Sequence, residues 1–404
     1  MNSQTVWGEI DLDAIAHNVR ELKRITRPPA RLMAVVKANA YGHGTIEVAK
    51  EALKNGAEFL GVARIDEGIT LREAGINAPI LIFGYTPKGL FHHLIGFNLT
   101  QSAWSYPFCK ELSEAAISHG KKIIVHLKVD TGMGRLGIIS GRFPPYPADL
   151  ETMNDAKREI ESICRLPGLE MEGIFTHFAD ADSKDNSFTR AQFETFIRLL
   201  DLLKQSQIEF FIRHAANSAA IIDMPETHLD MVRAGVALYG LRPSPYMDPL
   251  RIDLRPAMSL KTRVIHLKQV PAGFKISYGS TYETRKATTI ATIAIGYADG
   301  FNRLLSSRGH VLIRGVRAPV IGRICMDLTV CDAGHIPRVC VEDEAVVFGN
   351  QGDQTITVDE IADSLNTINY EIVTSISHRV PRFYLRSGPH LTSYEVNRHE
   401  ASFS

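Results

Sequence analysis

The chain has 404 residues, of which 45% are hydrophobic and 22% are charged, proportions typical of a folded protein with a sizeable core. Lysine plus arginine and aspartate plus glutamate each number 45, so the formal net charge is zero and no basic excess indicates a nucleic acid or an anionic membrane as partner. The length favours two domains.

The N-terminal residues lack a basic start followed by an apolar run, so no signal peptide is expected, and no stretch reaches the length of a membrane span. The five cysteines are an odd number without paired metal-ligand spacing, which favours a reducing cytoplasm and no metal site. We therefore expect a cytoplasmic protein whose partners are small molecules or a second copy of itself.

Short apolar runs alternate with amphipathic helical stretches from residue 33 to about residue 240, a pattern typical of repeated βα units around a parallel sheet. Eight such runs predict strands, and eight is the number that closes a (β/α)8 TIM-like barrel. The predicted strands begin at Met33, Phe59, Ile80, Leu99, Ile123, Gly173, Phe210 and Met231. The stretch from Phe188 to Gln205 predicts one of the helices between them.

The pattern changes near residues 241 to 250, which contain three prolines. Helices become rare after them, and short strands rich in threonine, valine and isoleucine follow. We predict an α/β protein with a barrel over residues 1–244 and a mostly β C-terminal domain over residues 245–404. A proline-rich loop begins at Ile139, and the tail after Leu385 is expected to be loosely ordered.

Lys37, in the segment AVVKANAYGHG, ends the first predicted barrel strand, where the pattern requires a buried side chain. Burial lowers the pKa of a lysine, and the neutral amine can then form a Schiff base and later accept a proton. An exposed lysine at a strand end, neutralised by a carboxylate, remains an open alternative from this residue alone.

Other polar residues follow predicted strands at the C-terminal end of the barrel, where the active sites of such barrels lie. They include His177 and the neighbours Asn217 and Ser218. The loops after the seventh and eighth strands often hold a phosphate, and here they supply Ser218 and the backbone N–H groups of Gly235 and Val236. Asn217 and Ser218 also fit the N-cap of a helix, and both roles could hold together.

The segment VDTGMGRLG places three glycines at the GxGxxG spacing of a dinucleotide-binding loop. Such a loop must open a helix, whereas this segment leads into ISGRFPPYP, in which prolines make an immediate helix improbable. We therefore predict a tight turn that presents Arg135, whose planar guanidinium suits a carboxylate or phenolate oxygen.

With these segments the sequence resembles the alanine racemases, which are fold-type III pyridoxal-phosphate enzymes. The matching segments, in family order between residues 34 and 382, are AVVKANAYGHG, VHLKVDTGMGRLG, GIFTHFADAD, HAANSAA, MVRAGVALYGL, ISYGSTY, IAIGYADG, VIGRICMD, INYE and RVPR. The resemblance implies interconversion of L-alanine and D-alanine with pyridoxal 5′-phosphate as cofactor. It also implies a supply of D-alanine for peptidoglycan.

The same resemblance implies that Lys37 carries the cofactor as a Schiff base and that Tyr278 is the opposing acid or base. Racemisation removes a proton from one face of Cα and returns it on the other, so it needs a base on each face. In the family this tyrosine reaches the barrel of a partner subunit, which implies a homodimer with shared active sites.

The remaining roles are also implied by the resemblance. Arg233 would face the pyridine nitrogen with His177 beside it, whereas Arg135 would contact the phenolic oxygen and the substrate carboxylate, helped by the Met326 N–H. Lys128 matches a lysine that carbon dioxide can carbamylate, which would give an anion that orients Arg135. The candidate cofactor-binding residues are Lys37, Tyr41, Arg135, His177, Asn217, Ser218, Arg233, Gly235, Val236 and Tyr370.

Two features depart from the family pattern, namely the proline-rich segment 139–150 and His378, which lies where the family often has tyrosine. They leave the substrate preference open, because a racemase for serine or for a broader set of amino acids would share every residue named above. A non-enzymatic pyridoxal-phosphate-binding protein of the single-barrel kind would lack the β domain and Tyr278.

Overall fold

The computed structural model describes residues 3–141, 150–386 and 394–395. Within these residues, eight parallel strands pair in chain order, and the eighth also pairs with the first, so the ring is closed. The barrel strands are Arg31–Val35, Phe59–Val62, Ile80–Ile82, Thr100–Ala103, Ile123–Asp130, Leu169–Phe175, Ile212–His214 and Met231–Ala234. The predicted (β/α)8 barrel is therefore confirmed.

Helices connect the barrel strands, as the sequence pattern predicts. The helix Ser187–Gln205 buries Phe196, Leu199 and Leu203, whose spacing of three and four residues places them on one face. The other helices of this part of the chain are Leu12–Ile25, Thr45–Lys54, Ile65–Glu73, Phe91–Gly96, Tyr106–Ser118, Leu150–Cys164 and Ser218–Asp223, with short 3-10 helices at Lys88–Leu90, Pro225–Thr227 and Val236–Tyr239.

The second compact unit is mostly β, as predicted, and is built on the long strand Met258–Val270. This strand pairs antiparallel with Thr288–Ile293 along one stretch and with Glu344–Gln351 along another. Further strands are Lys275–Ile276, Tyr282–Glu283, His310–Ile313, Val316–Pro319, Thr329–Asp332, Gln354–Ile356, Arg382–Leu385 and Tyr394–Glu395, and the helices are Val358–Leu365 and Asn369–Thr374.

The N-terminal strand Val6–Asp11 pairs with Met258–Val270 and with Arg382–Leu385, so it belongs to the sheet of the second unit. The prediction assigned this strand to the barrel domain of residues 1–244. The spacing of hydrophobic residues does not reveal which distant strand a segment pairs with. The compact barrel unit comprises residues 14–40 and 45–255, whereas residues up to Asp13, Tyr41–Gly44 and those from Pro256 onward form the other unit. The predicted boundary between residues 244 and 245 stays a prediction.

Two predicted segments lie partly outside the described residues. Of the proline-rich segment 139–150, residues 142–149 are outside them, and so are residues 387–393 and 396–404 of the predicted tail. In the part of the chain that the structure describes, no helix combines the length and apolar character needed to cross a membrane.

Candidate active site

A left-handed turn follows Lys37 at the end of the first barrel strand. The four residues Ala38–Tyr41 all have φ between 50° and 54°, a conformation that costs a residue with a Cβ atom about 1–2 kcal/mol. The N–H of Ala40 donates to the carbonyl of Val36 at 2.9 Å, which closes the turn. A strained turn of this kind persists only where the surrounding structure holds it, and such turns cluster at functional sites.

Glu67, near the start of the helix Ile65–Glu73, holds the beginning of this turn. One carboxylate oxygen accepts the N–H of Ala38 at 2.6 Å, and the other accepts those of Ala63 at 2.7 Å and Arg64 at 3.0 Å. Glu67 was not among the predicted site residues. An acidic residue in the first turn of a helix was the available signal, but it does not reveal which distant N–H group is bound.

Lys37 is half-buried, and its pKa is lowered, chiefly because burial disfavours the ammonium and also because Arg135 is positively charged. The negative charge of Glu67 opposes this shift. The structure thus places Lys37 in surroundings that favour the neutral amine, whereas its role as cofactor carrier stays a prediction.

Lys128 is buried on the fifth barrel strand, and its ammonium lies 5.7 Å from the ring centroid of Phe175. Burial lowers the pKa of Lys128 to about 8, and the charges of Arg135 and Arg233 act in the same direction. A fraction of this side chain is therefore a neutral amine near pH 7, which is the form that reacts with carbon dioxide.

The loop that presents Arg135 is organised by Asp130, a buried residue at the end of the same strand. Its Oδ1 accepts the N–H groups of Gly132, Met133 and Gly134 at 2.9, 2.9 and 3.2 Å, and its Oδ2 accepts that of Arg135 at 3.2 Å. Asp130 is a second residue of the site that was not predicted from the sequence. An aspartate directly before a glycine-rich turn was the signal.

The glycine-rich segment leads into the short strand Ile138–Ile139 and not into a helix, which confirms that it is not a dinucleotide-binding loop. Gly137 has φ of 138°, and a Cβ atom there would lie 2.4 Å from the backbone nitrogen of Asp130. Glycine is therefore required for the loop to fold back on the carboxylate that holds it.

Arg233 is buried on the eighth barrel strand, and both of its terminal nitrogens are hydrogen-bonded. Nη2 donates to the carbonyls of Thr176 and Ala215, each at 2.9 Å, and lies 3.1 Å from His177 Nδ1. Nη1 lies 3.0 Å from His214 Nδ1. Burial lowers the pKa of Arg233 to about 9, so the guanidinium remains mostly charged at neutral pH.

The imidazole of His177 is neutral at pH 7, because burial and the neighbouring charge of Arg233 hold its pKa well below the usual value. Since Nη2 of Arg233 carries only donor hydrogens, a proton on Nδ1 of His177 would face another donor, so the ring proton is on Nε2. The structure therefore brings together Arg233 and His177, as predicted, with a donor N–H of His177 left to act on another group.

The predicted phosphate loops also come together. Ser218 Oγ accepts the N–H of Gly235 at 2.8 Å, and the next residue, Val236, begins a 3-10 helix whose first N–H groups have no partner within that helix. Asn217 caps the helix Ser218–Asp223 through a bond from the Ala220 N–H at 3.1 Å, so the capping alternative is confirmed for Asn217.

Within the second unit, Tyr41 and Tyr370 lie side by side with ring centroids 6.0 Å apart. Burial raises the pKa of Tyr41 to about 12, so its hydroxyl stays protonated and suits an anion. Tyr278 is 69% exposed in the turn Tyr278–Ser280, and Met326 is 53% exposed. Ser277, beside Tyr278, hydrogen-bonds to Arg323 O, which ties this turn to the segment that carries Met326. His378, the departure from the family pattern, is exposed.

Comparison with known proteins gives matches over nearly the whole chain. Residues 10–243 match the family described as "Alanine racemase, N-terminal domain", and residues 257–384 match "Alanine racemase, C-terminal domain". A relative from Desulfosudis oleivorans, called alanine racemase, is 55% identical over 95% of this chain and 97% of its own length.

Two solved structures extend these matches to the fold. The alanine racemase from Bacillus anthracis with bound L-Ala-P has a TM-score of 0.88 and 38% identity, and the match covers 98% of this chain and 99% of that chain. The alanine racemase from Bartonella henselae with covalently bound pyridoxal phosphate has a TM-score of 0.81 and 27% identity, over 95% of this chain and 100% of that chain.

Proposed function

Because the chain belongs to the alanine racemase family, we propose that it interconverts L-alanine and D-alanine on pyridoxal 5′-phosphate with Lys37 and Tyr278 as the two bases. The observation that carries this proposal is Lys37 itself. It is a lysine of lowered pKa at the C-terminal end of the first barrel strand, directly before the strained turn and near the side chains of Arg135 and Lys128.

The charges of the barrel unit fit an anionic cofactor. Arg135 and Arg233 bring positive charge to one end of the barrel, whereas the carboxylate of Asp130 is engaged by four backbone N–H groups. The neutral amine of Lys37 is the form that can bond to an aldehyde. When bound, pyridoxal phosphate draws electrons away from the Cα–H bond of the amino acid, so that the proton can leave.

Lys37 and Tyr278 supply the two proton-transfer groups that racemisation needs. The lowered pKa of Lys37 favours the neutral amine, which is the form that accepts a proton. The phenol of Tyr278 can give a proton on the opposite face, and its exposure in a single chain leaves it available to another copy. We therefore infer a homodimer in which the Tyr278 of each chain completes the site of the other chain.

Arg233 is proposed to contact the pyridine nitrogen of the cofactor. Its buried guanidinium would oppose protonation of that nitrogen, which makes the ring a weaker electron sink and limits side reactions such as transamination. His177, neutral and protonated on Nε2, would then donate a hydrogen bond toward Tyr278.

We assign the phosphate to a set of hydroxyl and backbone N–H donors, with Asn217 next to them as the helix cap. The donors are Tyr41, Ser218, Gly235, Val236 and Tyr370. The contact between Ser218 and the Gly235 N–H and the protonated hydroxyl of Tyr41 support this assignment.

The substrate carboxylate is assigned to Arg135 and the N–H of Met326. Asp130 fixes the backbone of Arg135 but leaves its guanidinium exposed and available for a carboxylate. The lowered pKa of Lys128 supports carbamylation, because the neutral amine attacks carbon dioxide and the resulting anion would attract Arg135, whereas an ammonium would repel it.

Alanine is the proposed substrate, and serine or a broader set of amino acids is the alternative. One missing or extra small group in a pocket changes selectivity by only about 1–3 kcal/mol, so the preference must be measured. The test measures racemisation of a series of L-amino acids by circular dichroism. A higher kcat/KM for serine or a larger amino acid than for alanine would contradict the choice of alanine. We further propose a cytoplasmic protein that supplies D-alanine for peptidoglycan, consistent with its free cysteines.

The cofactor assignment is tested by treating the purified holoenzyme with borohydride and sequencing the labelled peptide. We expect the cofactor on the peptide that contains Lys37, because burial lowers the pKa of this lysine and so favours the neutral amine. A label on another lysine, Lys128 included, would refute the assignment.

The shared site is tested by complementation between Lys37→Ala and Tyr278→Phe proteins, each of which should be nearly inactive. After subunit exchange, a heterodimer has one site with both bases intact and one with both lesions. A randomly exchanged equal mixture should therefore recover about a quarter of wild-type activity, as two-fold symmetry requires. If mass spectrometry shows exchange without recovery of activity, Tyr278 acts within its own chain or is not the second base.

A further inference from the structure

Two buried histidines inside the barrel have no part in the proposed reaction. His126 and His214 lie on the fifth and seventh barrel strands, and both are 0% exposed. His126 Nδ1 is 2.9 Å from His214 Nε2, and the rings meet edge to face with centroids 5.0 Å apart. Burial lowers the pKa of both rings, so both are neutral near pH 7.

The direction of hydrogen bonding through these rings is fixed from the arginine end. Arg233 Nη1 can only donate, so Nδ1 of His214 accepts at 3.0 Å and the proton of this neutral ring is on Nε2. That proton is donated to His126 Nδ1, which places the proton of His126 on Nε2 as well. Nε2 of His126 is 2.9 Å from Glu172 Oε2 and donates to it. One hydrogen-bond chain therefore runs from Arg233 through His214 and His126 to the Glu172 carboxylate, and we call His214, His126 and Glu172 the relay.

The backbone of the sixth barrel strand accommodates the relay. The register between the fifth and sixth strands shifts at His126, whose partner is Gly173 while Val125 pairs with Met171. Glu172 is therefore the extra residue of a β-bulge, a feature that redirects a side chain. A Cβ atom on Gly173 would lie 2.6 Å from His126 Nδ1, so glycine is needed to admit the imidazole.

The hydrogen-bond chain also links the buried charge of Arg233 to a carboxylate. Among the described residues, no carboxylate oxygen lies within 4.0 Å of the Arg233 guanidinium, so this buried cation has no direct ion pair. Glu172, whose side chain is 26% exposed, is joined to Arg233 only through the two imidazoles. Buried charges are expensive unless they are paired or hydrogen-bonded, and polarised chains of hydrogen bonds spread such a charge.

We propose that Glu172, acting through His126 and His214, is a positioning residue that stabilises the charged form of Arg233 and keeps its Nη2 directed at His177. This inference rests on the proposed role of Arg233 at the pyridine nitrogen. None of the three relay residues would touch the substrate or the cofactor, so their effect on the reaction passes through Arg233.

The first test measures the tautomers of the two rings by 15N NMR of protein labelled at histidine. Signals are assigned by their loss in His126→Gln and His214→Gln. We expect both rings of the wild-type holoenzyme to be protonated on Nε2, because Arg233 imposes that direction. A ring protonated on Nδ1, or a mixture of the two forms, would overturn the proposed relay.

The second test removes the carboxylate. Glu172→Gln keeps an oxygen acceptor for His126 but loses the charge, whereas Glu172→Leu loses both, and Glu170→Gln is the matched control on an exposed position of the same strand. We expect kcat to fall about tenfold in Glu172→Gln and further in Glu172→Leu, with KM within about twofold of wild type, since a bond to a charged group is lost away from the substrate. Glu170→Gln should match the wild type.

The outcomes separate the relay from the proposed function. Wild-type kcat in both Glu172 variants would overturn the positioning role, and if Glu172→Leu does not fold, Glu172→Gln decides. If the rings have the expected tautomers but the wild-type protein racemises no amino acid, the proposed function fails while the hydrogen-bond direction holds. A wild-type kcat with a raised KM would also refute the relay, because it would place Glu172 in substrate binding.

Discussion

Asp130 provides the sharpest test of how the sequence builds the site, because one buried carboxylate accepts the backbone N–H groups of four consecutive residues. The proposed change is Asp130→Asn, which keeps Oδ1 but replaces Oδ2 with an NH2 group. Three N–H bonds then go to a neutral oxygen, and the N–H of Arg135, now 3.2 Å from Oδ2, would face another donor. Only the electrostatics change, since the two side chains are nearly the same size.

The expected loss follows from the strength of these bonds. A hydrogen bond to a charged group contributes about 2 kcal/mol and a neutral one about 1 kcal/mol, so one lost bond and three bonds weakened by about 1 kcal/mol each destabilise the loop by up to about 5 kcal/mol. The loop should open locally before the barrel unfolds, because its glycines have no side chains to pack. Arg135 would then be positioned poorly for the substrate carboxylate.

Two measurements follow from this. Amide hydrogen exchange at Gly132–Arg135 should accelerate by at least about a hundredfold, since each 1.4 kcal/mol is a factor of ten. KM for L-alanine, measured by circular dichroism, should rise about tenfold or more, with a smaller change in kcat. Asp185→Asn is the control, because Asp185 is exposed and accepts one backbone N–H at 2.9 Å. Unchanged exchange would refute the structural reasoning, whereas fast exchange with wild-type KM would refute only the role of Arg135.

Two further predictions concern Lys128 and Glu67. The pKa of Lys128 is about 8 in the folded chain and 10.5 in the unfolded chain. Between these values the unfolded chain binds more protons, so this residue makes stability rise with pH there. Lys128→Met should remove a cost of about 3 kcal/mol below pH 8, and the advantage should vanish toward pH 10.5, as measured by urea unfolding in buffer free of carbon dioxide. Parallel pH profiles for the two proteins would contradict this. Glu67→Gln cannot satisfy three N–H groups with one oxygen, so kcat/KM should fall about tenfold or more, with the exposed Glu73→Gln as control. A wild-type kcat/KM in Glu67→Gln would mean that the strained turn after Lys37 does not depend on this carboxylate.

The barrel and the mostly β unit could be predicted because burial leaves a periodic record in the sequence. Predicted runs such as the one from Ile123 and the helix from Phe188 agree closely with Ile123–Asp130 and Ser187–Gln205. The motifs around Lys37, Arg135 and Arg233 likewise identified the end of the barrel at which these residues gather. The position of a residue at the end of a buried strand depends on the local hydrophobic pattern, so it can be predicted directly from the sequence.

Tertiary structure decided everything that depends on direction or on a distant partner. The pattern of the strand Val6–Asp11 would fit either sheet. Its partner strands are Met258–Val270 and Arg382–Leu385, about 250 and 375 residues further along the sequence. Glu67 and Glu172 resemble ordinary surface acids in the sequence. Only the fold shows that one binds the N–H of Ala38 and the other ends a chain of imidazoles from Arg233, because a hydrogen bond depends on where two groups point and the sequence records only which groups exist.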